Sequence, residues 1–138
     1  LSIVIDSSVA LAFLFQEEPT QGINQIWEQV GVSGAWVPGL WKLEVANVLE
    51  LKMRRGSYNA AFRDGCLEDL ALLPIQIDLE GDTHAWGKTL QIANRHALTL
   101  YDACYLELAL RRNLPLASLD QDLVKAARSE GVAVLPKD

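Results

Sequence analysis

The chain has 138 residues, half of them apolar, and carries a net charge of −6. Its length suits one domain with its own core, and its apolar share excludes a disordered chain. No apolar run reaches the roughly 18 residues of a membrane span, no charged-then-apolar leader opens the chain, and the acidic balance argues against binding nucleic acid by backbone charge alone.

Residues Ser2–Asp6 (SIVID) form a short apolar run ending in a carboxylate, which predicts a buried strand. Helical spacing follows at once through Val9, Ala10, Leu11, Phe13 and Leu14, to about Gln16. Pro19 suits the first turn of a second helix, running to about Val30 and punctuated by Gly31 and Gly34. Ala35–Pro38 predicts a second strand. A helix then spans Gly39 to about Arg55 and ends at Gly56. Ser57 is the expected N-cap of the next helix, which reaches about Leu72 before Pro74 breaks it. Ile75–Asp78 is the third strand. One helix is expected from about Gly81 to Arg95, with a turn at His96. Thr99 caps a helix to Arg112, Pro115–Ser118 is the fourth strand, and Gln121–Ser129 is the last helix. Gly131 stops that helix before a fifth strand, Val132–Leu135. Short apolar strands separated by helices predict a parallel sheet covered on both faces, in a single domain over residues 1–138.

Ligands of such sheets collect at the carboxyl ends of strands where the strand order reverses. Asp6 and Asp120 both sit at such ends. Either could be no more than the N-cap of its following helix, and Asp122 suits the dipole of that helix. Thr99-x-x-Asp102 fits a capping box, which explains both residues without chemistry. Glu44 is harder to dismiss. On a helical wheel it shares a stripe with Leu40, Leu43, Asn47, Val48 and Leu51, and Trp41, Val45 and Leu49 make the other side apolar too, so this helix is expected to be buried in most directions. A carboxylate there costs several kcal/mol unless something pairs with it; the alternatives without chemistry are a buried ion pair with a lysine or arginine, or a stripe that reaches solvent at Glu44. Several carboxylates meeting at one spot repel one another. A hard divalent ion such as Mg2+ or Mn2+ removes that repulsion, and it also answers the objection from net charge.

Four stretches carry a family resemblance: residues 3–12 (IVIDSSVALA), 37–49 (VPGLWKLEVANVL), 98–109 (LTLYDACYLELA) and 115–123 (PLASLDQDL). Together they resemble the PIN-domain ribonucleases, specifically the VapC toxins of bacterial and archaeal toxin–antitoxin modules. The resemblance implies a three-layer α/β/α fold with a five-stranded parallel sheet of order 3-2-1-4-5. It implies an acidic quartet of Asp6, Glu44, Asp102 and Asp120, with Asn47 and Ser118 as polar neighbours. Asp6, Asp102 and Asp120 would bind Mg2+ or Mn2+ directly or through water, Glu44 would hold a water or a second ion, and the reaction would be hydrolysis of RNA. The partners implied are RNA, a cognate antitoxin and a second copy of the chain, with no membrane. Rival readings are a PIN nuclease in RNA maturation or decay, a silent PIN-like binding protein, and another Mg2+ enzyme such as a phosphatase.

Cys66 and Cys104 form no Cys-x-x-Cys pair, and both are expected to be buried, reduced thiols of a cytoplasmic protein. His84 and His96 lack ligand spacing and are expected at the surface. Lys42, Lys52, Arg54 and Arg55 could meet RNA phosphates, but dipole complementation explains the last three as well, and Arg111 and Arg112 more firmly. Trp27, Trp36, Trp41 and Trp86 are expected in the core or an interface rather than stacked on bases.

Overall fold

A computed structural model describes residues 1–16 and 21–137. The expected opening of the second helix at Pro19 lies outside them. In chain order the elements are β1 (Ile3–Ile5), α1 (Ser7–Phe15), α2 (Gln21–Ser33), β2 (Ala35–Pro38), α3 (Leu40–Arg54), α4 (Ala60–Ala71) and β3 (Ile75–Asp78). Then come α5 (Gly81–His84), α6 (Lys88–His96), α7 (Leu100–Arg112), β4 (Leu116–Ala117), α8 (Gln121–Ser129) and β5 (Val134–Leu135). Among the described residues, no helix is long and apolar enough to cross a membrane.

The five strands are all parallel, in the order β3-β2-β1-β4-β5. Register pairs Ile3 with Ala35, Val4 with Leu116, and Ala35 with Ile75. Right-handed crossovers on this order place α1–α4 on one face of the sheet and α5–α8 on the other. Ile3, Val4 and Ile5 are fully buried between those layers, with Val9, Leu106, Leu108, Leu116 and Leu123 around them. β1 sits at the switch point. One connection leaves it toward β2, and β4 arrives on its other edge from the opposite layer.

Four local expectations need correction. Gly31 lies within α2; the turn is made by Gly34 at φ +77°, where an added Cβ would stand 3.0 Å from the Pro74 carbonyl. The N-cap of α4 is Asn59, whose side-chain oxygen accepts the Phe62 N–H at 2.8 Å, and Ser57 lies before it. The helix expected from Gly81 to Arg95 is two helices, α5 and α6, broken at Gly87 with φ −114° and ψ −102°. The most consequential correction concerns α3. It buries only the Trp41–Val45–Leu49 face, while Leu43 is 74% exposed and Leu51 36%. Glu44 therefore lies half-buried on the flank, and the stripe it shares with Leu43 and Asn47 opens to solvent.

Arg111 and Arg112 do more than complement a dipole. Arg111 donates to both oxygens of Asp78 at 3.0 and 2.7 Å, to Glu107 at 2.7 and 3.0 Å, and to Glu80 at 3.2 Å. Arg112 reaches Asp78 at 3.4 Å and lies 3.5 Å over the Trp36 ring. Asp78 and Glu107 are buried, and the Arg111 hydrogen bonds hold the Asp78 carboxyl below the usual aspartate range. His96 is likewise no free surface residue, since its Nε2 lies 2.6 Å from Glu130.

Arg111→Met strands the buried Glu107 and leaves the buried Asp78 only its 3.4 Å contact with Arg112. It is expected to lower the unfolding free energy at neutral pH by about 3–5 kcal/mol, measured by urea denaturation. Asp78's share of the stability is complete above the unfolded aspartate pKa of about 3.9 and is lost as pH falls through its lower folded value. The deficit of the variant is therefore expected to shrink in that acid range.

Candidate active site

β1 and β4 end side by side, and each is followed at once by a helix. Asp6, in extended backbone, caps α1, and its Oδ1 accepts the Val9 N–H at 3.2 Å. The Ser8 hydroxyl donates to Oδ1 at 2.6 Å and the Ser118 hydroxyl to Oδ2 at 2.5 Å. Each hydroxyl also accepts a backbone N–H from the loop after β4, Leu119 onto Ser8 at 2.9 Å and Asp120 onto Ser118 at 3.0 Å. Two serines thus clamp Asp6 to the loop that carries Asp120. The Trp41 indole donates to the Asp6 carbonyl at 3.4 Å and ties in α3. Asp6 is only 4% exposed, and burial pushes its carboxyl above the usual range, against the pull of the Ser118, Ser8 and Val9 bonds.

The other carboxylates come from three further elements. Asp120 caps α8, accepting the Leu123 N–H at 3.0 Å. Thr99 caps α7 by accepting the Asp102 N–H at 3.1 Å, so the capping role is real. The Asp102 carboxyl nevertheless lies within reach of other charges. Burial raises its pKa first, then the charge of Asp120, with a smaller push from Asp122. Glu44 enters from α3 and accepts a hydrogen bond from the Tyr105 phenol. Burial raises the pKa of Glu44, as do the charges of Asp102 and Asp6, while the phenol pulls it down.

The structure therefore gathers Asp6, Glu44, Asp102 and Asp120 at the switch point, with Ser118 bonded into the cluster. Asn47 stands apart, exposed on α3, with no hydrogen bond to them. Among the described residues, no salt bridge neutralises any of the four, and no three acidic, histidine or cysteine side chains stand close enough to make a preassembled metal cluster. The donor set still fits a hard cation. It offers oxygen only, and the charges of Asp102 and Asp6 bear on Glu44 and that of Asp120 on Asp102, a repulsion that a hard, oxygen-preferring ion such as Mg2+ would relieve.

Sequence reasoning missed Tyr105 and Ser8. Tyr105 carried a signal, being a polar-tipped side chain three residues after Asp102 and so on the same face of α7. Ser8 carried only its distance of two residues from Asp6. Of the cysteines, Cys66 is buried and Cys104 half-buried, its thiol pushed up to about 11 by burial and by Glu107, Glu44 and Asp82. Trp27 and Trp41 are core residues, whereas Trp86 is 93% exposed. Lys52 lies 4.5 Å over the Phe15 ring.

The family model for the PIN domain matches residues 3–129. The chain belongs to the PIN domain family. Solved structures share its PIN fold at low identity. PAE2754 from Pyrobaculum aerophilum is 20% identical, with a TM-score of 0.71 over 98% of this chain and 84% of its own. FitAcB from Neisseria gonorrhoeae is 16% identical, with a TM-score of 0.66 over 96% and 95%. VapBC2 from Rickettsia felis, solved bound to a DNA fragment from their promoter, is 11% identical, with a TM-score of 0.66 over 97% of each chain. A comparison with curated protein sequences finds no match.

The mutual repulsion at this PIN site has a measurable sign. Glu44's folded pKa is raised, so stability falls as pH rises from its unfolded value of about 4.3 through the folded value. In metal-free buffer Glu44→Gln is expected to raise the melting temperature at pH 7, by an amount worth about 1 kcal/mol or less at this half-exposed position. The gain is expected to vanish below about pH 4.3, where both side chains are neutral.

Proposed function

We propose that this PIN domain is a divalent-metal-dependent endoribonuclease and the toxin member of a toxin–antitoxin pair. One observation carries the reading: a buried carboxylate, Asp6, is braced by neutral hydroxyls at the end of the sheet that also carries Glu44, Asp102 and Asp120, and among the described residues no cationic side chain forms a salt bridge with any of them. Asp6, Asp102 and Asp120 would hold Mg2+ or Mn2+ directly or through water, and Glu44 would complete the set. When bound, such an ion supplies charge neutralisation and Lewis-acid activation of water and of a phosphoryl oxygen. Ser118 and Ser8 fix the orientation of Asp6 and tie it to the Asp120 loop, so the ligands are ordered before substrate arrives. Water serves as nucleophile, and no serine, cysteine or histidine is required. Asn47, exposed beside Glu44 on α3, is free to meet substrate.

The toxin assignment draws on the four sequence stretches that resemble the VapC toxins; the similar structures FitAcB and VapBC2, the latter bound to a DNA fragment from their promoter, support the fold. The assignment also draws on α3, whose exposed Leu43 and Leu51 form an apolar stripe suited to contact with a second copy or an antitoxin.

Cleavage of a mixed RNA pool by antitoxin-free protein tests the activity. Cutting is expected with Mn2+ or Mg2+, to be lost in EDTA, and to fall at least about 100-fold in Asp6→Asn. Cutting that survives both treatments removes the proposed mechanism. Self-association is a separate test. Leu43→Asp is expected to weaken dimerisation at least about ten-fold by sedimentation. A wild-type chain that stays monomeric at high concentration and binds no product of its own operon removes the partner assignment.

A further inference from the structure

We infer that Tyr105 is a positioning residue that holds Glu44 in the carboxylate cluster, through the hydrogen bond its phenol donates from α7 to Glu44 Oε1 on α3. The inference rests on the metal-dependent reading of this site and assigns a role to a residue outside the acidic quartet.

Tyr105 is 1% exposed, and a phenol so deeply buried requires a polar partner. Its position three residues after Asp102 lets one face of α7 present both a candidate ligand and a donor to the next ligand. Through its hydrogen bond Tyr105 joins α3, which carries Glu44, to α7, which carries Asp102.

Glu44 needs such a partner more than the other three do. It has a long, freely rotating side chain on the flank of a helix whose adjoining stripe opens to water. Asp6 and Asp102 repel it. Among the described residues, the Tyr105 phenol is its sole side-chain hydrogen-bond donor.

The chemistry of the donor matters as much as its place. Asp78 shows what a cation does, since Arg111 and Arg112 neutralise it and leave a structural ion pair. A lysine or arginine on Glu44 would in the same way cancel the charge that is to attract Mg2+ or Mn2+. A hydroxyl orients one carboxylate oxygen, leaves the charge in place and leaves Oε2 unengaged. Ser8 and Ser118 likewise leave the charge of Asp6 in place, although together they engage both of its oxygens.

The test is Mn2+ binding by calorimetry to wild type, Tyr105→Phe, Glu44→Ala and the double variant, each with its melting temperature. Phe keeps the buried ring and removes only the oxygen. Tyr105→Phe is expected to weaken Mn2+ binding about ten-fold or more and to have no further effect when Glu44 is already alanine. Unchanged affinity in Tyr105→Phe overturns the inference, as does an equal loss in both backgrounds, which would mark a packing effect. Should Tyr105→Phe fail to fold, Glu44→Asp withdraws the carboxylate by one methylene while keeping its charge. It is then expected to show the same loss, and wild-type affinity in it overturns the inference. A wild-type protein that binds no Mn2+ overturns the metal reading and this inference together, whereas binding that is indifferent to Tyr105 overturns this inference alone.

Discussion

A buried negative charge that has no cationic partner among the described residues organises this molecule. Asp6 sits at the end of the central strand, where desolvation works against its charge, and three neutral donors support it where a lysine or arginine would otherwise be expected. That arrangement depends on features far apart in sequence. The order β3-β2-β1-β4-β5 sets the ends of β1 and β4 side by side. The abrupt passage from each strand into a helix puts Ser8 and Ser118 within reach of the same carboxylate. Trp41 holds α3 against the Asp6 backbone. A slip of one residue between β1 and β4 would turn Ser118 away and leave Asp6 unsupported.

The same residue type meets the opposite treatment at the end of β3. Asp78 is as buried as Asp6, yet Arg111 grips both of its oxygens and Arg112 adds a third contact. Its charge is consumed and its pKa falls, where that of Asp6 rises. The contrast separates an aspartate that stabilises the fold from one that strains it. A fold retains an uncompensated carboxylate of the second kind at a cost in stability, as functional sites commonly do.

The sequence made much of this readable because the signals were local. The apolar run before Asp6, the cap at Thr99 and the helix start after Asp120 each depend on a few adjacent residues, and the structure has them where expected. The strand order came from the resemblance, since local pattern says nothing about which strand edges meet. What stayed hidden depends on tertiary choices. Helix α3 is apolar on two sides, and a wheel cannot say which side the sheet takes; the Trp41 face won. Periodicity runs smoothly through Gly81–Arg95, yet the chain turns at Gly87. Arg111 follows its helix as any dipole-complementing arginine would, and only the approach of β3 reveals its carboxylate partners. Tyr105 lies within the stretch 98–109 beside Asp102, but its contact with Glu44 exists only once α3 comes alongside α7.

For Asp6, Asp102 and Asp120, a place at a helix N-terminus and a place in the carboxylate cluster are compatible. Each of the three stands at the N-terminus of a helix: Asp6 and Asp120 cap α1 and α8, and Asp102 lies in the first turn of α7. Helix N-termini carry unsatisfied N–H groups and positive partial charge, which ease the placing of a carboxylate there. Three such ends aimed at one region let the fold concentrate negative charge without importing a cation. Glu44 has no share in this device. It lies in the body of α3, far from the ends where the dipole acts, and its carboxylate must be held by something other than its own helix. The buried Tyr105 phenol fills that gap, from the same face of α7 that carries Asp102.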